Sequence, residues 1–169
     1  MQIVENRALQ LKLRTPSRVT DAIKKSRAMN ATEVLVHWGL REVKTLQRLG
    51  FDAPSPIMGK YDWPGRFKPM DHQKKTAGFL TLHERCFCFN EQGTGKTASA
   101  IWAADYLMKL GLVRRALIIS PVSIMDSAWR GDLFSFAMHR TADTAYGTPK
   151  KRKAAIASGA EFVVTNYEG

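Results

Sequence analysis

A chain of 169 residues, 44% hydrophobic and 24% charged, has the composition of an ordinary globular protein, with room for one substantial core and a small appendage. No apolar run approaches the roughly 20 residues that a bilayer-spanning helix requires, which excludes a membrane-spanning helix. The formal net charge of +11 lies mostly in the front half: residues 1–85 hold 16 Lys and Arg against 8 Asp and Glu, and residues 86–169 hold 10 against 7. Such an excess suits a polyanionic partner, although a solvated basic surface produces the same count.

Three zones follow along the chain. Residues 1–50 read as a small α+β element. Ala8 to Leu13 alternates apolar and polar, the period of a half-buried strand, and Glu33 to Trp38 reads as a second strand. Leu40, Val43, Leu46 and Leu49 recur at helical spacing, with Gly50 as the stop. The start, Met1 to Arg7, lacks the apolar run of a secretory signal, so the expected setting is intracellular. Residues 51–70 carry Pro54, Pro56, Gly59, Pro64, Gly65 and Pro69, the punctuation of an extended connector. Tyr61, Trp63 and Phe67 predict that it lies against a folded surface.

Residues 71–169 alternate strand and helix, which predicts a parallel sheet with crossover helices. The expected elements are a helix over 71–82, a strand Cys86 to Phe89, a helix over 96–110, a buried strand from Ala116 to Ser120, a helix over 123–137, a helix opening at Thr148-Pro149, and a strand Glu161 to Thr165. Cys86 and Cys88, two apart on one strand, cannot easily pair with each other and lack a second ligand pair for zinc, so they are expected as reduced core thiols.

Between the Cys86 strand and the next helix stands Gly93-Thr94-Gly95-Lys96-Thr97. Phosphates need several oriented N–H donors at close range. Glycines let the backbone curl so that successive N–H groups converge, and the helix that follows adds the positive end of its dipole. The residues from Gln92 through Ala98 are therefore expected to form a phosphate cradle. Lys96 would reach the β and γ phosphates of ATP, and the Thr97 hydroxyl would hold Mg²⁺. The fuller pattern opens with glycine five positions before Gly95, where this chain has Asn90.

Asn90-Glu91-Gln92-Gly93-Thr94-Gly95-Lys96-Thr97 resembles the nucleotide loop of superfamily-two helicases, in particular the Swi/Snf-like translocases. The resemblance covers roughly residues 66–169. Phe67 to Gln73 is similar to the segment whose glutamine reads adenine, a role the resemblance carries to Gln73. The Pro-to-Gln spacing is longer by one, and His72 replaces a tyrosine. Leu117 to Ile124, followed by Trp129, resembles motif Ia. Tyr146-Gly147-Thr148 resembles a Tyr-His-Gly stretch, and Phe162 to Glu168 resembles motif Ib. Motifs Ia and Ib line the phosphate track of a DNA strand in that family, which makes Ser123, Thr165 and Asn166 candidate DNA contacts; core packing accounts for Trp129 equally well. The Trp38-Gly39-Leu40 and Tyr61 to Gly65 stretches resemble phage-encoded members, which would place the protein in the cytoplasm of a bacterial host. The basic run Lys150 to Lys153 is either a DNA contact or a solvated helix end.

The resemblance implies an α/β fold: an incomplete RecA-like parallel sheet with crossover helices, the front of a first helicase lobe over 71–169, preceded by the small α+β element of residues 1–50 and the connector 51–70. It implies ATP and Mg²⁺ as ligands, with Lys96 and Thr97 as the catalytic residues present, and double-stranded DNA as partner. Hydrolysis in that class needs a second motif, an apolar strand ending in Asp-Glu. The Ala116 strand ends in Ser120 and the Glu161 strand in Asn166, so the expectation is a front portion whose Asp-Glu motif lies beyond Gly169. A stand-alone DNA-binding module with a non-hydrolysing nucleotide site is the alternative, and a small-molecule kinase is a third.

Overall fold

The computed structural model describes residues 1–167, and only the backbone of Asp126, Ser127 and Ala128. Glu168, last of the stretch resembling motif Ib, lies outside the described residues. Backbone contacts divide the chain into two units: Met1–Tyr61 with Thr81–Arg85, and Asp62–Leu80 with the chain from Cys86 onward. No described helix is long and apolar enough to cross a membrane.

In the first unit, β1 (Gln2–Val4), β2 (Ala8–Lys12), α1 (Ser17–Thr20), β3 (Ser26–Ala28), β4 (Glu33–His37), α2 (Leu40–Arg48) and α3 (Ile57–Lys60) follow in order. The four strands pair antiparallel in the order β1-β2-β4-β3. Strand alternation sends Leu9, Leu11, Val34 and Val36 to one face, where they pack with Val43 and Leu46 of α2 and with Trp38. The Trp38 indole N–H donates to the Pro54 carbonyl at 2.8 Å, so the largest core side chain leaves no polar atom unpaired. The predicted strands and helix of this unit form, and Gly50 follows α2 with φ 90°.

In the second unit, α4 (Asp71–Leu82, its last two residues belonging to the first unit) precedes the glycine loop. Then come α5 (Lys96–Lys109), β5 (Ala116–Ile119), a 3-10 turn Val122–Ile124, a π-helical turn Met125–Arg130, α6 (Gly131–Phe136), β6 (Ala142–Ala145), α7 (Pro149–Ala157) and β7 (Phe162–Thr165). The sheet is parallel in the order β5-β7-β6. Ile118, Phe162 and Val164 share a face and pack with Ile101, Met108 and Leu133. Val163 faces the other way, toward Ala145, Ala155 and Ala160. The connector lies on this unit from Trp63 onward: the Trp102 indole donates to the Pro64 carbonyl at 2.9 Å, and the Arg66 N–H donates to the Ser135 carbonyl at 2.8 Å. Trp63 and Phe136 meet the Trp102 ring edge-on at 5.7 and 5.1 Å.

Three expectations fail here. The strand expected to be buried from Ala116 is β5, at the edge of the described sheet, with Leu117 and Ile119 65% and 51% exposed. Cys86 to Phe89 forms no strand among the described residues; Phe87 and Phe89 are 80% and 88% exposed, and of the two thiols expected in the core Cys86 is exposed and Cys88 half-buried. Apolar composition suits a strand, but a strand exists only where a neighbour completes its hydrogen bonds. The helix expected over 123–137 is three short pieces, with Gly131, a poor helix former, at the final junction. Thr148 caps α7 as expected, accepting from the Lys151 N–H.

One buried ionic node fixes α5 to the sheet. Asp105 of α5, wholly buried, accepts from Arg140 Nε at 2.6 Å and hydrogen-bonds His139 Nε2 at 2.9 Å. Arg140 also pairs with Glu161, at the entry to β7. Burial opposes charge on Glu161, yet the Thr141 N–H and the Arg140 guanidinium hold its carboxyl below the ordinary range.

Candidate nucleotide site

The loop between Asn90 and Lys96 turns on Gly93 and Gly95, both left-handed at φ 78° and 76°. L-residues with a side chain rarely adopt that conformation, so the loop shape depends on glycine here. Gly95 is also the N-cap of α5, a helix of 14 residues whose first N–H groups have no partner within the helix. The Thr94 hydroxyl donates to the Glu91 carbonyl at 2.8 Å and closes the turn.

Lys96 points back over this turn. Its ammonium donates to the Asn90 and Glu91 carbonyls at 2.9 and 2.8 Å. The cation therefore sits at the mouth of its own loop, where the dipole of α5 favours negative charge. Thr97 stands next on the first turn of α5, partly exposed.

The first turns of α4 back the loop. The Gln73 amide accepts from the Met70 N–H at 3.0 Å and donates to the Thr94 carbonyl at 3.3 Å. His72 Nε2 lies 3.0 Å from the same carbonyl, so that ring nitrogen carries the proton. Asn90 donates to the Thr76 hydroxyl at 2.8 Å. Three α4 side chains thus hold the loop at both ends. Gln73 was legible in the sequence; His72 was noticed only as a replacement for tyrosine, and Thr76 had no signal beyond its place one helical turn after His72.

The donor set suits a polyphosphate: a curled glycine backbone, the N-terminus of α5 and the Lys96 ammonium. For a divalent cation the loop itself offers the Thr97 hydroxyl. Among the described residues, no group of three or more His, Cys, Asp or Glu could hold a metal ion.

The candidate DNA contacts lie elsewhere on the same unit, at the carboxyl ends of parallel strands. The Ser120 N–H donates to the Thr165 carbonyl at 2.9 Å, which sets the end of β5 beside the end of β7. Ser123 is exposed in the turn beyond β5. The Thr165 hydroxyl donates to the Ala145 carbonyl at 3.1 Å, and Asn166 is buried with its Oδ1 unpaired among the described residues. Of the three, Ser123 alone is exposed. Trp129 packs against the core cluster of Ile101 and Phe162.

Neither a protein-family model nor a curated protein sequence matches the chain. A solved structure does. The fold is similar to that of the SWI2/SNF2 ATPase core of Sulfolobus solfataricus, solved in complex with dsDNA, with a TM-score of 0.53 and 21% sequence identity. The similarity covers 63% of this chain and 23% of that one. The architecture, a three-stranded parallel sheet flanked by helices with a small antiparallel sheet in the other unit, is that of part of a RecA-like lobe.

Proposed function

We propose that this chain is the ATP-binding front portion of an ATP-dependent DNA helicase or translocase, which in a longer protein couples ATP hydrolysis to movement along double-stranded DNA. The observation that carries this reading is the convergence of α4 on the loop: Gln73, His72 and Thr76 all hold the segment that Gly93 and Gly95 curl. A bare glycine turn before Lys-Thr needs no such backing.

In this reading the N–H groups from Gln92 through Ala98 receive phosphate oxygens. Lys96 leaves the Asn90 and Glu91 carbonyls for the β and γ phosphates, so a negative ligand replaces two neutral acceptors. The Thr97 hydroxyl holds Mg²⁺, and Gln73 reads the adenine edge with one donor and one acceptor. ATP with Mg²⁺ supplies the phosphoryl transfer that powers such motors. Ser123 contacts a DNA phosphate directly; Thr165 and Asn166 shape the strand end beside it. The setting is intracellular, in a bacterial host if the chain is phage-encoded.

Titration with a fluorescent ATP analogue tests the site. Binding lost in Lys96→Ala, with the fold kept by circular dichroism, is the expected result. Equal affinity in the variant overturns the assignment of the loop. The chain of 169 residues is expected to show negligible DNA-stimulated turnover; robust turnover abolished by Lys96→Ala would contradict the front-portion reading.

A further inference from the structure

The first unit carries a basic cleft to which the nucleotide loop assigns no role. Arg41, Lys44 and Arg48 stand at i, i+3 and i+7 on α2, one face of the helix, opposite the buried Val43 and Leu46. Lys44, Gln47 and Arg48 form one wall of a cleft of about 400 Å³, with Leu82, His83, Glu84 and Arg85 forming the other. Arg41, Arg48, His83 and Arg85 are exposed. Lys44 meets Glu84 at 3.4 Å, an exposed pair that water screens and loosens. Among the described residues no carboxylate pairs with Arg41, Arg48 or Arg85. The dipole of α2 favours a cation at Arg48, in its last turn, but accounts for neither Arg41 in the first turn nor Arg85 on another segment.

We infer that this cleft is a docking surface for the phosphate backbone of duplex DNA, separate from the nucleotide loop and independent of that site's assignment. Charge complementarity selects a polyanion, since the one acid in the cleft is outnumbered by Lys44, Arg48 and Arg85. Long cations without a fixed bidentate partner match phosphates, which position a protein without reading sequence. Arg41 to Arg48 spans about 10 Å of helix, enough to face several charges of a duplex that carries one per roughly 1.7 Å of axis. The lining contains no Phe, Tyr or Trp on which an unstacked base would lie, and single-strand sites depend on such faces.

The test uses the full chain and a labelled duplex of arbitrary sequence, with affinity measured by anisotropy across a salt series. The expected result for Arg48→Ala with Arg85→Ala is a salt slope shallower by about 1 to 2, with affinity lost uniformly across sequences. Lys24→Ala with Lys25→Ala removes the same charge from exposed positions of the same unit outside the cleft, and is expected to leave the slope unchanged. Equal falls in both variants, no fall in the first, no duplex binding by the parent chain, or tighter binding of a single strand of equal length each overturns the inference. If the double variant melts early, Arg85→Ala alone, on an exposed residue, is read instead, with an expected fall of about 1.

Discussion

A Cβ placed on Gly95 would lie 2.2 Å from Nε2 of Gln73, so the glycine of the loop and the glutamine of α4 occupy one shared space. Gly95→Ala therefore meets two penalties: the left-handed backbone, about 1–2 kcal/mol for a residue with a side chain, and displacement of an amide that also bonds Met70 and Thr94. Gly93 has the same hand of backbone, but a Cβ there would meet open space. Gly95→Ala is expected to abolish binding of an ATP analogue and lower the melting temperature by more than Gly93→Ala does. Comparing the two melts checks this; equal losses would mean that the Gln73 contact contributes nothing.

Gln73→Ala is expected to leave phosphate binding in place and erode base selection. Its amide is held between the Met70 N–H and the Thr94 carbonyl, and an amide so bonded retains one further donor and one further acceptor site. A bidentate contact to adenine contributes about 1–3 kcal/mol of discrimination, so the ATP-over-GTP preference is expected to fall roughly tenfold or more. Competition of each nucleotide against a fluorescent analogue reads this directly. A preference unchanged in the variant places base selection elsewhere.

Removing Arg140 leaves the wholly buried Asp105 without its closest cation, and stranding a buried charge typically costs about 3–5 kcal/mol. Arg140→Ala is expected to approach global unfolding of the second unit, and Glu161→Gln to cost much less. The pH dependence has a definite sign. Because the folded carboxyl of Glu161 is held below its ordinary value, its contribution is fully present above the unfolded value and is lost as pH falls through the folded one. Denaturant midpoints taken across the acid range should fall with pH, and less steeply in Glu161→Gln. Parallel curves would show that other carboxylates control the acid transition.

The parts of this fold that the sequence announced are those whose signal is local. Gly93 and Gly95 declare a curled loop because few other residues turn that way, and the apolar runs at 116–119 and 162–164 declare strands, of which β7 is buried while β5 is buried at Ile118 alone. β6, Ala142 to Ala145, was not legible: an edge strand with Asp143 and Thr144 in it lacks both the apolar run and the clean alternation. β1 and β3 span three residues each, too few for any period to show. The bond from Asn90 to Thr76 joins residues 14 apart through side chains that occur in many loops and helices, so nothing in the sequence marks it.

Cys86 to Phe89 shows the reverse, a strong local signal without the structure it suggests, and it leads to a prediction about solution behaviour. Phe87 and Phe89 stack on each other at 5.5 Å and 15° while remaining almost wholly exposed. Exposed apolar faces of this size favour burial against another chain. β5 is a second open element, an edge strand with Leu117 65% exposed. The chain is expected to self-associate as its concentration rises, with the two phenylalanines as the main adhesive. Phe87→Ser with Phe89→Ser should shift light-scattering mass toward the monomer and reduce binding of an apolar dye, while Leu117→Thr should do so more weakly. Neither residue contributes to a core, so the melting temperature should hold in the double variant. Association that survives the phenylalanine changes and disappears with Leu117→Thr would transfer the role to the β5 edge.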